Sequence, residues 1–218
     1  KKDIYDLVEI VDILRGENGC PWDREQTHES IKNAIIEESY EVADAIEKED
    51  DNGVIEELGD VLFQVIFHAA IGKEDGYYNL SDIIEGICNK MIYRHPHVFG
   101  NADVNTTEEV LANWDELKKK EKHFNTMTDE LNGVAKALPA LIRAAKVQKK
   151  AKKVGFDFEN VDKTLEKIKE EINELEEVYK TDNVDRITEE LGDLLFSCVN
   201  TARFANTSSV VFTSAFPN

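Results

Sequence analysis

The chain has 218 residues, enough for one or two domains, and its 41% apolar content permits a sizeable core. Its 45 acidic against 26 basic side chains give a net charge of −19, which argues against a nucleic-acid backbone as partner and suits a protein that holds cations. No apolar run approaches the roughly 20 residues needed to span a bilayer, and no signal peptide is visible.

The first residue is Lys rather than Met, which reads as a missing native start. Cys20, Cys88 and Cys198 are odd in number and widely spaced, without C-x-x-C or Cys/His zinc spacing. They indicate a reducing, cytoplasmic setting.

Residues 3–15 place Ile4, Leu7, Val8, Val11 and Leu14 at helical spacing. Two glycines and Pro21 then break the pattern across residues 15–23. Trp22 in this loop either stacks on a base or plugs the end of the bundle, and spacing alone leaves both open. Thr27-x-x-Ser30 offers an N-cap for a helix over residues 31–47.

A short acidic turn over residues 47–53 leads into a second helix over 54–71. On the first helix Glu38 and Glu41 share a face; on the second, Glu57 and Asp60 do so. Ile31, Ile35, Val42 and Ile46 mark one apolar stripe, and Val54, Leu58, Val61 and Val65 the other. An antiparallel pair would bring the four carboxylates together beside the core. Clustered anions repel one another and resist desolvation, and a hard divalent cation such as Mg²⁺ relieves both.

A helix is expected over residues 82–93, started by Ser81. Lys90 and Arg94 lie four apart and are candidate phosphate ligands. His95 and His97 flank Pro96 in a loop, a weak metal signal beside a structural or solvent role. Residues 107–122 read as a helix with Trp114 on its apolar side. Its basic end at Lys118, Lys119 and Lys120 also satisfies the helix dipole.

Residues 123–139 form the expected junction, and 140–153 a basic helix. Gly155-Phe-Asp-Phe158 then takes the place that Gly19-Cys-Pro-Trp22 holds earlier. Two more helices follow, over residues 161–179 and 185–204. They carry Glu170, Glu171, Glu174, Glu190 and Asp193 with the same fifteen-residue gap, at an offset of 133 residues from Glu37, Glu38, Glu41, Glu57 and Asp60. A solvated surface has no reason to repeat such spacing.

The expected fold is therefore all-α, a tandem repeat of helical hairpins completed as four-helix bundles. The expected divisions are an N-terminal domain at 1–125, a connecting helical segment at 126–154, a second core hairpin at 155–205 and an atypical tail at 206–218. The second copy is expected to lack counterparts to Lys90, Arg94, Trp114 and Lys118, since residues 206–218 do not resemble the charged helices of the first half.

Four carboxylates without histidine favour Mg²⁺ or Mn²⁺ over zinc or copper. Di-iron bundles need paired Glu-x-x-His, and the sole match is Glu25-x-x-His28. Mg²⁺ usually binds through a few carboxylates plus substrate phosphates, so a polyphosphate substrate and in-line attack of water on phosphorus are implied. No G-x-x-x-x-G-K-[ST] loop is present. A Nudix box would need Arg-Glu where Asp51-Asn52 and Asp185-Arg186 stand.

The paired Glu-Glu-x-x-Glu and Glu-x-x-Asp motifs resemble those of the MazG family of all-α nucleoside triphosphate pyrophosphohydrolases. The Gly-Cys-Pro-Trp-Asp loop, Glu-Glu-Leu-Gly-Asp, Arg-His-Pro-His-Val-Phe-Gly and Asn-Trp-Asp-x-Leu-Lys are similar to its tandem-domain members, over residues 4–205. The resemblance implies Mg²⁺-dependent hydrolysis of NTPs and dNTPs to NMP and pyrophosphate, broad base tolerance, house-cleaning of noncanonical nucleotides, and a homodimer. It implies Glu38, Glu41, Glu57 and Asp60 as one metal set, and Glu171, Glu174, Glu190 and Asp193 as the other. Glu37 and Glu170 would orient water or support the ligands. Trp22, Lys90, Arg94, Trp114, Lys118, Lys167, Asn200 and Arg203 would hold the nucleotide.

Overall fold

A computed structural model describes residues 1–104 and 106–205 of the chain. The residues divide into two compact units, one ending at Trp114 and the other beginning at Asp115. Every regular element among the described residues is a helix, and none is long and apolar enough to cross a membrane. The all-α expectation holds.

The first unit opens with α1 (Ile4–Arg15), α2 (Pro21–Glu25) and α3 (His28–Ile31). The helical hairpin follows as α4 (Ala34–Glu47) and α5 (Asp51–Glu74), then α6 (Leu80–Arg94) and α7 (Pro96–Phe99). α8 (Thr107–Glu121) carries the boundary between units. Val11, Ile31, Ile66, Phe67, Ala70 and Ile71 form the core, with Leu7, Val8, Phe63 and Leu80 packed on it. α1 and α6 thus cover the C-terminal half of α5.

The motif-bearing half of α5 is less covered. Leu58 is 52% and Ile46 59% exposed, so these two members of the expected stripes lie outside the core.

Caps place several boundaries differently from the reading by periodicity. Thr27 and Ser30 form a reciprocal capping box, but on the short α3, and a turn at Lys32–Asn33 separates it from α4. α5 begins at Asp51, because the Asp50 carboxylate accepts from the Asn52 and Gly53 backbone N–H groups. Gly53 is therefore inside the helix. A Cβ there would stand 2.9 Å from Asp50 Oδ2 and 3.2 Å from Ala45 Cβ, so glycine permits the close approach of α4 and α5. Asn79, not Ser81, caps α6 in a reciprocal box with Asp82. The expected His95–Pro96–His97 loop continues as α7, with Pro96 at its first position, where a missing N–H costs nothing.

The second unit contains α9 (Met127–Asn132), α10 (Ala140–Lys152), α11 (Val161–Val178) and α12 (Val184–Phe204). α11 and α12 form the second hairpin, and α10 packs on α12. Buried Glu130 accepts from Lys119 at 2.8 Å and pairs with Lys150 at 3.5 Å, tying α9 to the end of α8 and to α10. The expected atypical tail at 206–218 lies outside the described residues.

Candidate functional site

Each hairpin gathers carboxylates. In the first, Glu38 and Glu41 of α4 meet Glu57 of α5, with one oxygen from each lying within 4.8 Å of the others. Asp60 stands outside this tight group, but its charge acts on Glu38. Burial, then Asp60, Glu41 and Glu37, push the Glu38 carboxyl above its ordinary 4.5. Burial and then Glu41 do the same to Glu57.

The second hairpin repeats the grouping with Glu171 and Glu174 of α11 and Glu190 of α12, again within 4.8 Å. It is more buried: Glu171 is 3% and Glu190 6% exposed. Burial, then the hydrogen bond and charge of Glu171, raise the Glu174 carboxyl above 4.5.

This cluster also carries its own counterions, which reading by spacing missed in part. Lys167 Nζ lies 2.7 Å from Glu171 Oε1 and 2.7 Å from Glu170 Oε1. Those two contacts hold the ammonium well above its ordinary range. Arg186 pairs with Glu190 at 2.6 Å, a contact that raises its own pKa. At the offset of 133 residues, Lys167 aligns with Ala34 and Arg186 with Gly53. The first cluster lacks cations at those positions.

Both clusters offer only carboxylate oxygen. In the second, Glu171 Oε2 is buried without a hydrogen-bond partner among the described residues. An orphaned anionic acceptor in an all-oxygen set fits a hard divalent cation. Glu38, Glu41 and Glu57, and Glu171, Glu174 and Glu190, are the residues that could hold one.

Beside the second cluster lies a cavity of about 700 Å³, within the size range of small-molecule sites. Lys167, Glu171, Asp193, Asn200 and Arg203 line it, so the structure brings these expected site residues together. Arg203 donates to Asn200 Oδ1 at 2.6 Å and forks onto Asp157. That guanidinium, first among the causes, holds the Asp157 carboxyl below its ordinary 3.8.

Gln148, Phe156, Phe158 and Phe196 also line the cavity. The Gly155-Phe-Asp-Phe158 match to the earlier loop was a signal for two of them. Gln148, inside a helix, gave none.

The other expected nucleotide residues differ in exposure. Trp22 is 64% exposed on α2, so it does not plug the end of a bundle. Lys90 is exposed on α6, whereas Arg94 is buried. Trp114 is half-buried with its ring edge-on to His95 at 5.1 Å, and His95 Nδ1 meets the Met91 carbonyl at 2.6 Å. The structural role of His95 is thereby favoured over the metal role. Lys118, Glu37 and Glu170 are exposed.

Comparison with known proteins gives concordant matches. The family model of the MazG nucleotide pyrophosphohydrolase domain matches residues 26–99 and again 159–216, covering both hairpins. The nucleoside triphosphate pyrophosphohydrolase of Escherichia coli (strain K12) is 42% identical over 94% of this chain and 79% of the relative. The nucleoside triphosphate pyrophosphohydrolase/pyrophosphatase MazG of Thermotoga maritima is 42% identical over 92% of this chain and 76% of its own length. A Bacillus subtilis protein described as uncharacterized, YabN, is 53% identical over 64% of this chain and 28% of itself.

Proposed function

The chain belongs to the MazG nucleotide pyrophosphohydrolase family, and from that premise we propose that it hydrolyses nucleoside triphosphates, ribo- and deoxyribo-, to the monophosphate and pyrophosphate. The observation that carries this reading is the repeated carboxylate group, held within 4.8 Å in both hairpins. The cavity beside the second group supports placing a nucleotide there.

Mg²⁺ is the proposed metal, with Mn²⁺ as substitute, because the donors are hard oxygen and include no histidine. Glu38, Glu41, Glu57 and Asp60 hold it in the first half, and Glu171, Glu174, Glu190 and Asp193 in the second. Bound there, it supplies charge neutralisation to the polyphosphate during in-line attack of water on phosphorus.

The remaining roles belong to the chain itself. Glu37 and Glu170, one residue ahead of the ligands, orient water or support the ligand carboxylates. Lys167, Asn200 and Arg203 bind the nucleotide in the second half. Trp22, Lys90, Arg94, Trp114 and Lys118 are the further nucleotide-binding residues. The proposed catalytic-type domains are residues 1–125 and 155–205, with 126–154 as the connecting segment whose α10 packs on α12.

The proposed assembly is a homodimer. Leu58 and Leu62 are 52% and 40% exposed on α5, and their repeats Leu191 and Leu195 are 46% and 48% exposed on α12. Apolar pairs left outside each unit support burial by a second copy. The proposed role is cytoplasmic house-cleaning of noncanonical nucleotides, with neither nucleic acid nor membrane as partner.

The test is a panel of canonical and noncanonical NTPs and dNTPs, with and without Mg²⁺. It is run on the full chain and on Glu38→Gln and Glu171→Gln singly. The reading expects metal-dependent pyrophosphate release that falls when a working cluster is altered.

A further inference from the structure

Gln148 sits on the face of α10 that packs against α12, 5% exposed, and it lines the cavity beside the second carboxylate group. Its Nε2 donates to the Phe196 carbonyl at 2.7 Å. A carbonyl only accepts, so this bond fixes which end of the amide is nitrogen and which is oxygen. The oxygen, Oε1, is left buried with no hydrogen-bond partner among the described residues. Buried acceptors rarely go unpaired without a reason, because the lost solvation is not returned.

The surroundings suggest what supplies the missing donor. Phe156, Phe158 and Phe196 give the cavity aromatic walls on which a flat heterocycle can stack. Lys167 and the carboxylates lie along the same lining. A nucleotide with its polyphosphate toward Lys167 and Glu171 would leave its base for the aromatic part.

We propose that Gln148 reads the base, its Oε1 accepting a hydrogen bond from an N–H on the pairing edge of the nucleobase. This inference rests on the reading of the second half as a nucleotide site. It also gives a physical form to base tolerance. Adenine and cytosine offer an exocyclic amine, guanine and hypoxanthine a ring N1–H, and uracil and thymine a ring N3–H. A lone acceptor finds a donor on each of these bases. A base with no such N–H leaves Oε1 unpaired and is disfavoured.

The experiment is calorimetry on the full chain with Mg²⁺ and three ligands. They are the α,β-methylene triphosphates of adenosine and of purine riboside, which has no pairing-edge N–H, and inorganic tripolyphosphate with its turnover checked by chromatography. The wild type is expected to bind the adenosine analogue about tenfold more tightly than the purine riboside analogue. Gln148→Leu is expected to bind the two equally while keeping its affinity for tripolyphosphate.

Equal affinities in the wild type, a comparison that needs no variant, would overturn the proposal and leave the nucleotide site standing. A preference that survives in Gln148→Leu would do the same. Failure of the wild type to bind either nucleoside analogue would overturn the nucleotide site itself, and the role of Gln148 with it.

Discussion

Lys167 Nζ stands 2.7 Å from Glu171 Oε1, while Oε2 of the same carboxylate is buried without a partner among the described residues. One oxygen of Glu171 is thus neutralised from within its own helix, and the other is left for an incoming cation. Lys167→Met leaves a 3%-exposed carboxylate without its counterion. The expected loss is about 1–3 kcal/mol in metal-free protein. Urea denaturation with and without Mg²⁺ checks this, and saturating Mg²⁺ is expected to return part of the loss.

The first cluster titrates in the opposite sense to a salt-bridged acid. Glu38 and Glu57 are raised above 4.5 in the folded state, by burial first and then by neighbouring carboxylates. A raised acid contributes stability below its unfolded pKa and loses it as pH climbs through the folded value. Metal-free protein is therefore expected to lose stability as pH rises upward from 4.5 through the folded values of these two groups. Glu57→Gln is expected to raise the metal-free melting temperature at pH 7.5 and to leave it nearly unchanged at pH 4. Differential scanning calorimetry at the two pH values measures this.

Ala34 stands where Lys167 stands in the second half. Placing a cation there supplies the first cluster with a competing counterion. Ala34→Lys is expected to weaken binding of Mg²⁺ at the first cluster severalfold, with the second cluster unchanged. Titration calorimetry of Mg²⁺ on a Glu171→Gln background isolates the first cluster and reads the shift.

Two glycines of α5 are expected to respond oppositely to alanine. At Gly53 a Cβ meets Asp50 Oδ2 at 2.9 Å and Ala45 Cβ at 3.2 Å; at Gly59 nothing lies within 4 Å. Gly59→Ala is expected to stabilise the metal-free monomer by about 0.5–1 kcal/mol through helix propensity. Gly53→Ala is expected to destabilise by about 1 kcal/mol, because crowding of the hairpin outweighs the same gain. Denaturation midpoints at low protein concentration compare the two.

The contrast between those glycines shows where sequence reading stops. Helical period placed the hairpins, and the repeated glutamate spacing placed the carboxylates, because 3.6-residue geometry is local. Gly53 looked like a turn residue because its reason, the contact with Ala45 on the neighbouring helix, is not local. Trp22 was left between two roles for want of its burial. Lys167 and Ala34 were visible as letters, but the unequal charge balance of the clusters lies in ion pairs that spacing does not fix. Gln148 had no motif at all. Its interest lies in one unpaired oxygen, which composition and periodicity do not register.

The most direct test of the central claim is product analysis. The 218-residue chain is incubated with ATP and Mg²⁺, and the products are separated by ion-exchange chromatography, beside the Glu38→Gln/Glu171→Gln double variant. The account predicts AMP and pyrophosphate in equal amounts from the wild type and neither from the double variant. ADP with orthophosphate as the wild-type products, or undiminished AMP formation by the double variant, would contradict it.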